Sequence, residues 1–488
     1  MQNFKLSNQL IKKSLNSHSI LGLSIGALIY LICLSGALVV FFEEFERWEQ
    51  PNIQEYTDYS APQIQTAVDS FLTQTSQSPD SLYVVLPTTA VPRIHVAANE
   101  QEWFVNQDGS LSEPPLEGWT HTLKALHIYL HLPSTLGLIV VGALGAALVA
   151  LIISGIFAHP RIFKDAFQLK LGRNPRLTQA DIHNRLSVWG IPFYLMIALT
   201  GAFIGLVSLL IWAAAPIEFQ GNRQAVIEAV YGNDPIVNQP VTPINFAQAL
   251  SNLKQQAPQA TPIYLVIQKI NTPNQYLEIA ATLPGRLIYS EMYRFQSDGS
   301  FINHQGLSDG PIGRQIAYSV YRLHFGHFAN GWVKIIYGVL GLALTVIATT
   351  GINIWLARRK YKTPLNRIWT AFVWGTPLTL SITLLISLWG LTQPFYFWVI
   401  LLTTVLGISR LQTEKHCKAC CTYLTLLVLA VVLLIYWQKW GTLLPNTAAT
   451  QINLTFVSVI LIGGIIFLAK RLRLNPLKKK LKSPELSN

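Results

Sequence analysis

The sequence predicts a mainly α-helical polytopic membrane protein with about eight transmembrane helices, both termini inside, and two small α/β domains outside. The helices and domains form two parallel helix–ectodomain–helix repeats. Three observations predict this. The chain is 51% hydrophobic and only 12% charged, where ordinary soluble domains carry about a quarter charged residues. Apolar runs of spanning length, about 20 residues, recur along it. Finally, the order helix, polar segment, helix occurs twice with matching landmarks.

Taken in order, residues 1–42 hold the N-terminus and the first span, whose apolar run is 19–42. Lys12 and Lys13 precede it as in a signal peptide, but the run is too long and no clear A-x-A site follows, so it reads as a retained anchor. The first outer domain is 43–126, the second span 127–158, and an inner loop 159–187. A third span at 188–214, a second outer domain at 215–331 and a fourth span at 332–357 repeat that order. Four further apolar runs, at 368–390, 394–409, 422–437 and 452–469, fill the region 358–470, and 471–488 is a basic tail.

The charges orient these segments. Lys5, Lys12 and Lys13 stand in the first 17 residues without an acid. The 158–187 loop carries six Lys/Arg against two acids, Arg358, Arg359, Lys360 and Lys362 follow the fourth span, and seven bases run from Lys470 to Lys482. By the positive-inside rule these segments are cytoplasmic. Segment 43–126, with thirteen acids and three bases, suits the outer side. The net charge of +12 is therefore a matter of topology and lipid contact, and nucleic acid is excluded as a partner. The outer segments contain no cysteine, so no disulfide framework is expected there.

Each outer segment offers a helix-like stretch (62–74; 244–256) and then strand-like runs (81–87, 92–97, 102–106; 263–269, 275–281, 287–296). A hairpin signal follows in each, Asp108-Gly109-Ser110 and Asp298-Gly299-Ser300. A helix packed on a short antiparallel sheet is expected in both.

The histidines carry the chemistry. HSILGLSIGALIYLICLSGA (18–37) and HNRLSVWGIPFYLMIALTGA (183–202) each place a histidine eighteen positions before a glycine, Gly36 or Gly201. In parallel repeats His18 and His183 become symmetry mates near the inner surface. LHIYLHLP (126–133) and LHFGHFAN (323–330) supply His127/His324 and His131/His327 near the outer surface. Counted from the matched glycines Gly142, Gly145, Gly155 and Gly338, Gly341, Gly351, the second pair aligns without a gap. Ionisable residues at membrane depth usually face a bundle interior. Two neutral imidazoles facing across a helix bundle suit the two axial positions of an electron-transfer haem. At about 1.5 Å per residue His18 and Gly36 stand about 27 Å apart, nearly one hydrocarbon core. One haem at each surface would make a two-step conductor. The plainer reading gives each histidine an interfacial role and the glycines a packing role.

Other candidates are weaker. His159 is an alternative inner ligand or a contact for lipid phosphate beside Arg161; His95, His121 and His304 read as surface residues. HCKACC (416–421) holds Cys417, Cys420 and Cys421, a lone CxxC better read as reduced thiols than as a zinc site. The glycines at 338–351 lie in an apolar helix, so they form no dinucleotide fingerprint.

With these residues the sequence resembles the PepSY-associated transmembrane family over roughly 10–358. The marks are the His18–Gly36 helix, LH at 126–127, HPRIFKDAF (159–167), DIHNRLSVWGIPFYLMIALTG (181–201), LHFGHF (323–328) and the glycine-rich fourth span. The resemblance implies PepSY-like domains at 43–126 and 215–331. It also implies two haem b groups held through His18, His183, His127 and His324, as in the family's di-haem siderophore-iron reductases. HPRIFKDAF keeps His159 in consideration. Tyr194 stands where similar proteins often carry histidine.

The expected function is therefore an inner-membrane, haem-dependent ferric reductase acting on Fe(III)-siderophore in the periplasm. Its donor would be a quinol, a separate cytoplasmic flavoprotein or another soluble reductant. The rivals are a PepSY-domain protein that binds or regulates a periplasmic protease or another partner without redox chemistry, and a transporter.

Overall fold

The computed structural model describes residues 7–75, 78–168, 174–328 and 331–473; Lys5 and the tail lysines from Lys478 onward lie outside these. The first repeat comprises α1 (Asn8–Val39), α2 (Phe42–Glu49), α3 (Ala61–Gln74), β1 (Ser81–Val85), β2 (Ile94–Ala98), β3 (Gln101–Val105), α4 (Trp119–Tyr129) and α5 (Ser134–Ala158). The second comprises α6 (Pro175–Trp189), α7 (Ile191–Glu218), α8 (Arg223–Tyr231), α9 (Phe246–Gln256), β4 (Thr261–Gln268), β5 (Tyr276–Thr282), β6 (Glu291–Phe295), β7 (Phe301–His304), α10 (Ile312–Phe325) and α11 (Trp332–Leu356). Then follow α12 (Pro364–Ser387), α13 (Pro394–Ile408), α14 (Glu414–Trp440) and α15 (Thr447–Arg473).

Seven helices among the described residues are long and apolar enough to span a membrane: α1, α5, α7, α11, α12, α14 and α15. Eight apolar runs were expected. The difference is α13, with 15 residues, which at about 1.5 Å each rises about 22 Å, short of a core of about 30 Å.

The chain divides into two compact units. The first takes in Met1–Glu43, Asn52–Leu116 and Leu123–Arg359. Here α1 packs on α5 and α11, and α7 packs on α5. The contacts are close because the facing residues are small. A Cβ on Gly142 would fall 2.8 Å from the backbone of Gly205, and one on Gly341 would fall 2.9 Å from Ala37 Cβ. Leu199, Leu210, Ile335 and Val339 are exposed on the bundle, as expected where hydrocarbon replaces water. The counterpart of α1 is split into α6 and α7 at Gly190, because Pro192 in the first turn of α7 lacks the N–H that would continue the helix. The third span thus begins at Ile191, and His183 lies on the preceding helix α6.

The two polar segments fold as helix on sheet, and their sheets join edge to edge. One seven-stranded antiparallel sheet results, in the order β3-β2-β1-β4-β5-β6-β7, with Tyr83 opposite Val266 at the junction. Alternation puts Leu82, Val84, Ile94, Val96, Leu265 and Ile267 on the face covered by α3 and α9. Ser60 and Gln63 form a capping box that starts α3, and Asn245 accepts from Gln248 N to start α9. The Asp-Gly-Ser turns form as expected, with Gly109 at φ +87° and Gly299 at φ +88°. In each, the serine N–H donates to the aspartate, at 2.9 Å and 2.8 Å.

The second unit takes in Glu44–Pro51, Glu117–Thr122 and Lys360–Asn488. Trp48 is fully buried, stacks on Tyr436 with centroids 4.7 Å apart, and donates through Nε1 to Asn453 at 2.9 Å. Glu49 accepts from the backbone N–H groups of Trp119 and Thr120 and so caps the start of α4. Cys417 and Cys421 are buried free thiols, the former donating to the Ile408 carbonyl at 3.2 Å.

Candidate functional site

Two histidine pairs lie in the first unit. At the bundle end away from the sheet, His18 on α1 faces His183 on α6, with ring centroids 6.2 Å apart and planes at 85°. His18 Nδ1 sits 3.0 Å from the Leu151 carbonyl and 3.2 Å from Ser154 Oγ. His183 Nδ1 sits 3.0 Å from the Ile347 carbonyl and 3.2 Å from Thr350 Oγ1. A carbonyl can only accept, so each Nδ1 carries the proton and donates it. Each Nε2 keeps its lone pair. Anchoring one ring nitrogen in this way fixes the tautomer and aims the other, as second-shell partners of metal-ligating histidines do.

The sheet-side pair has the same construction. His127 on α4 and His324 on α10 have centroids 6.3 Å apart and planes at 28°. His127 Nδ1 donates to the Ile32 carbonyl at 3.1 Å, with Ser35 Oγ at 3.5 Å. His324 Nδ1 lies 2.9 Å from Thr200 Oγ1. Both helices end just beyond their histidine. Leu130 and His131 take the left-handed conformation (φ 53° and 58°) to stop α4, and Gly326 (φ 73°) stops α10. Tyr337 donates to the Leu323 carbonyl at 2.6 Å and holds the end of α10.

A glycine lies under each ring. Cβ atoms on Gly155, Gly351, Gly36 and Gly201 would fall 3.2, 3.4, 2.7 and 3.1 Å from Cε1 of His18, His183, His127 and His324 respectively. The seat is one sequence pattern used four times: an aliphatic residue gives the carbonyl, and Ser or Thr three positions on gives the hydroxyl. Glycine follows it and gives room. The copies are ICLSG (32–36), LIISG (151–155), IALTG (197–201) and IATTG (347–351). This fourfold recurrence of Ser/Thr-Gly is the signal in the sequence that marks the seats.

The spacing can be tested against a macrocycle held from both sides. With a metal–nitrogen bond of about 2.0 Å and a ring nitrogen about 1.1 Å from its centroid, two axial imidazoles have centroids about 6.2 Å apart. Both pairs fit. The His18/His183 pair also opens into a cavity of about 290 Å³ between α1, α5, α6, α7 and α11. Gly22, Gly26, Ile152 and Ile352 give it apolar walls, while His159 and Arg358 contribute polar groups. Such a lining suits a flat amphiphile with anionic edge groups. Tyr194 lines it too, packed over Gly190.

The other candidates sit elsewhere or play another part. His159 caps the end of α5 and borders the cavity. His131 lies in the turn after α4. His327 approaches Glu43 at 3.7 Å and stacks on Phe325 at 5.7 Å, while Glu43 pairs with Lys334 at 2.6 Å. Among the described residues no cluster of three or more His, Cys, Asp or Glu could hold a metal ion by itself.

The family model for the PepSY-associated TM region matches residues 15–358, which contain all four paired histidines. The chain belongs to the PepSY-associated transmembrane family. It is also 25% identical over 255 residues to an uncharacterised protein of Pseudomonas aeruginosa, a match covering 49% of this chain and 64% of that relative's length. Family and spans together make it a multi-pass membrane protein.

Proposed function

We propose that this PepSY-associated membrane protein is a di-haem oxidoreductase that passes electrons across the inner membrane to reduce Fe(III)-siderophore in the periplasm, so that the iron is released. The observation that carries this reading is the pair of facing imidazoles at each end of one bundle, 6.2 and 6.3 Å between centroids, every Nδ1 held at a backbone carbonyl or hydroxyl. Bound haem b would supply reversible one-electron chemistry. This chain's residues do the rest. His18, His183, His127 and His324 would hold it through Nε2, while Leu151, Ile347, Ile32 and Thr200 fix the rings. Arg358 and His159 offer positive and donor groups to anionic edges. The bases Arg161, Lys164, Arg358 and Arg359 support a cytoplasmic position for the His18/His183 end, where a quinol, a flavoprotein or a soluble reductant would deliver electrons. The sheet then lies in the periplasm.

The test is a dithionite-reduced minus oxidised spectrum of the detergent-purified full chain with haem counted. Sharp b-type bands with about two haems per chain are expected. His18→Ala or His183→Ala should leave one haem, and so should His127→Ala or His324→Ala. Protein made with ample haem that shows no such bands would return the histidines to a structural role. The sheet domain would then be read as a module for a protein partner.

A further inference from the structure

The two imidazole pairs match in spacing but not in orientation. Their centroids stand 6.2 and 6.3 Å apart, yet the planes cross at 85° in the His18/His183 pair and at only 28° in the His127/His324 pair. An imidazole bound to a metal through Nε2 keeps one freedom, rotation about the axis from the metal through the ring. That rotation carries Nδ1 around a circle, so the acceptor of the Nδ1–H fixes the plane. The two angles are therefore set in the four seats.

Three seats are alike. For His18, His183 and His127 the nearer acceptor is the carbonyl, at 3.0, 3.0 and 3.1 Å, and the hydroxyl stands farther off, at 3.2, 3.2 and 3.5 Å. His324 departs from them. Its close partner is Thr200 Oγ1 at 2.9 Å, the shortest of the four hydroxyl contacts, with the Ile197 carbonyl as a further acceptor. The hydroxyl is itself oriented. Thr200 Oγ1 donates to the Met196 carbonyl one turn back at 2.7 Å, so its single proton is already committed and its lone pairs are left for the imidazole. Thr200 is buried in α7, where its branched side chain has few rotamers open to it.

We propose that the two ends of the bundle are electronically different centres and not copies, crossed at His18/His183 and near-parallel at His127/His324, and that Thr200 is the positioning residue that makes the sheet-side centre different. Its hydroxyl sets the plane of His324 and holds it close to the plane of His127. This role rests on the di-haem reading above. Ring orientation has a direct consequence, because each imidazole donates π density to the iron d orbital whose lobes stand perpendicular to the ring. Crossed rings act equally on two such orbitals and leave them close in energy. Near-parallel rings raise one above the other. In the oxidised low-spin state the first arrangement gives a strongly anisotropic electron paramagnetic resonance signal at low field, and the second gives a rhombic signal with resolved features.

The measurement is the low-temperature electron paramagnetic resonance spectrum of the oxidised, detergent-purified full chain, with haem counted on the same sample. Wild type should give one strongly anisotropic and one rhombic signal. His18→Ala should remove the first and His324→Ala the second. Thr200→Val, which keeps the outline of the side chain and deletes its hydroxyl, should shift the rhombic signal and leave the anisotropic one in place. Thr200→Ser should restore the wild-type spectrum. Ser35→Ala is the control on the opposite ring of the same pair: its hydroxyl is 3.5 Å from His127 Nδ1, beyond the carbonyl at 3.1 Å, so both signals should stay where they are. If Thr200→Val loses the sheet-side haem and Thr200→Ser keeps it, the hydroxyl is again the anchor; loss in both overturns that role. Two haems with signals of one type overturn the proposed difference between the ends. A rhombic signal that Thr200→Val leaves unmoved, or that Ser35→Ala moves as far, overturns the part given to Thr200. Each of these leaves the di-haem reading standing. Wild-type protein without haem overturns that reading, and the assignment with it.

Discussion

At His127 the Nδ1–H goes to a backbone carbonyl 3.1 Å away, and Gly36 lies so close that a Cβ would stand 2.7 Å from Cε1. At His183 the same carbonyl contact is 3.0 Å, but a Cβ on Gly351 would stand 3.4 Å away, at ordinary van der Waals distance. These residue-scale differences separate two outcomes. Gly36→Ala must push the His127 ring off its acceptor, so it should lose the sheet-side haem and halve the reduced-minus-oxidised absorbance. Gly351→Ala should keep both haems. If the two variants retain equal haem, the glycine seats are packing features only. Tyr194 lines the His18/His183 cavity and covers Gly190, so its ring has a packing role there.

Elements set where these residues sit. The break at Gly190–Pro192 puts His183 on its own helix, and the left-handed residues Leu130 and His131 end α4 soon after His127. The start of α4 depends on Glu49, whose carboxyl is pushed up to about 7 by desolvation against the opposing pull of the Trp119 and Thr120 N–H groups. Folded Glu49 thus holds its proton up to about pH 7, while the unfolded chain releases it near the ordinary 4.5. Between those values the folded state binds more protons, so this group's contribution to stability falls as pH rises. Melting of the detergent-solubilised protein should shift downward from pH 5 to 7 partly through this residue. Glu49→Gln should flatten that slope; an unchanged slope would show that Glu49 is ionised throughout.

At the scale of the whole chain, duplication explains most of what recurs: two helix-on-sheet segments, two Asp-Gly-Ser turns, two histidine pairs and four Ser/Thr-Gly seats. Joining β1 to β4 makes one sheet from both repeats, so neither half keeps a complete sheet alone. The proposed topology has Leu287 of the sheet domain and Lys164 of the α5–α6 loop on opposite sides of the membrane. In a variant with Cys33, Cys417, Cys420 and Cys421 replaced, a single cysteine at Leu287, which is 51% exposed, should react with an impermeant maleimide from the periplasmic side. One at Lys164 should react only after lysis. The reverse pattern would invert the proposed topology.

The sequence by itself determined the spans, the repeat and the positions of the histidines, because hydrophobic length and spacing along the chain are local properties. Of the eight apolar runs, seven form helices of spanning length and the eighth forms the shorter apolar helix α13. It also left open which histidines pair, since spacing aligns 131/327 without a gap and 127/324 only with a one-residue shift, and what separates them is where α4 and α10 end. Tertiary structure decided that His127 and His324 face each other, that four Nδ1 atoms share one kind of seat, and that two sheets fuse into one. Those outcomes depend on which side chains meet across helices and strands, and a linear pattern does not encode a distance.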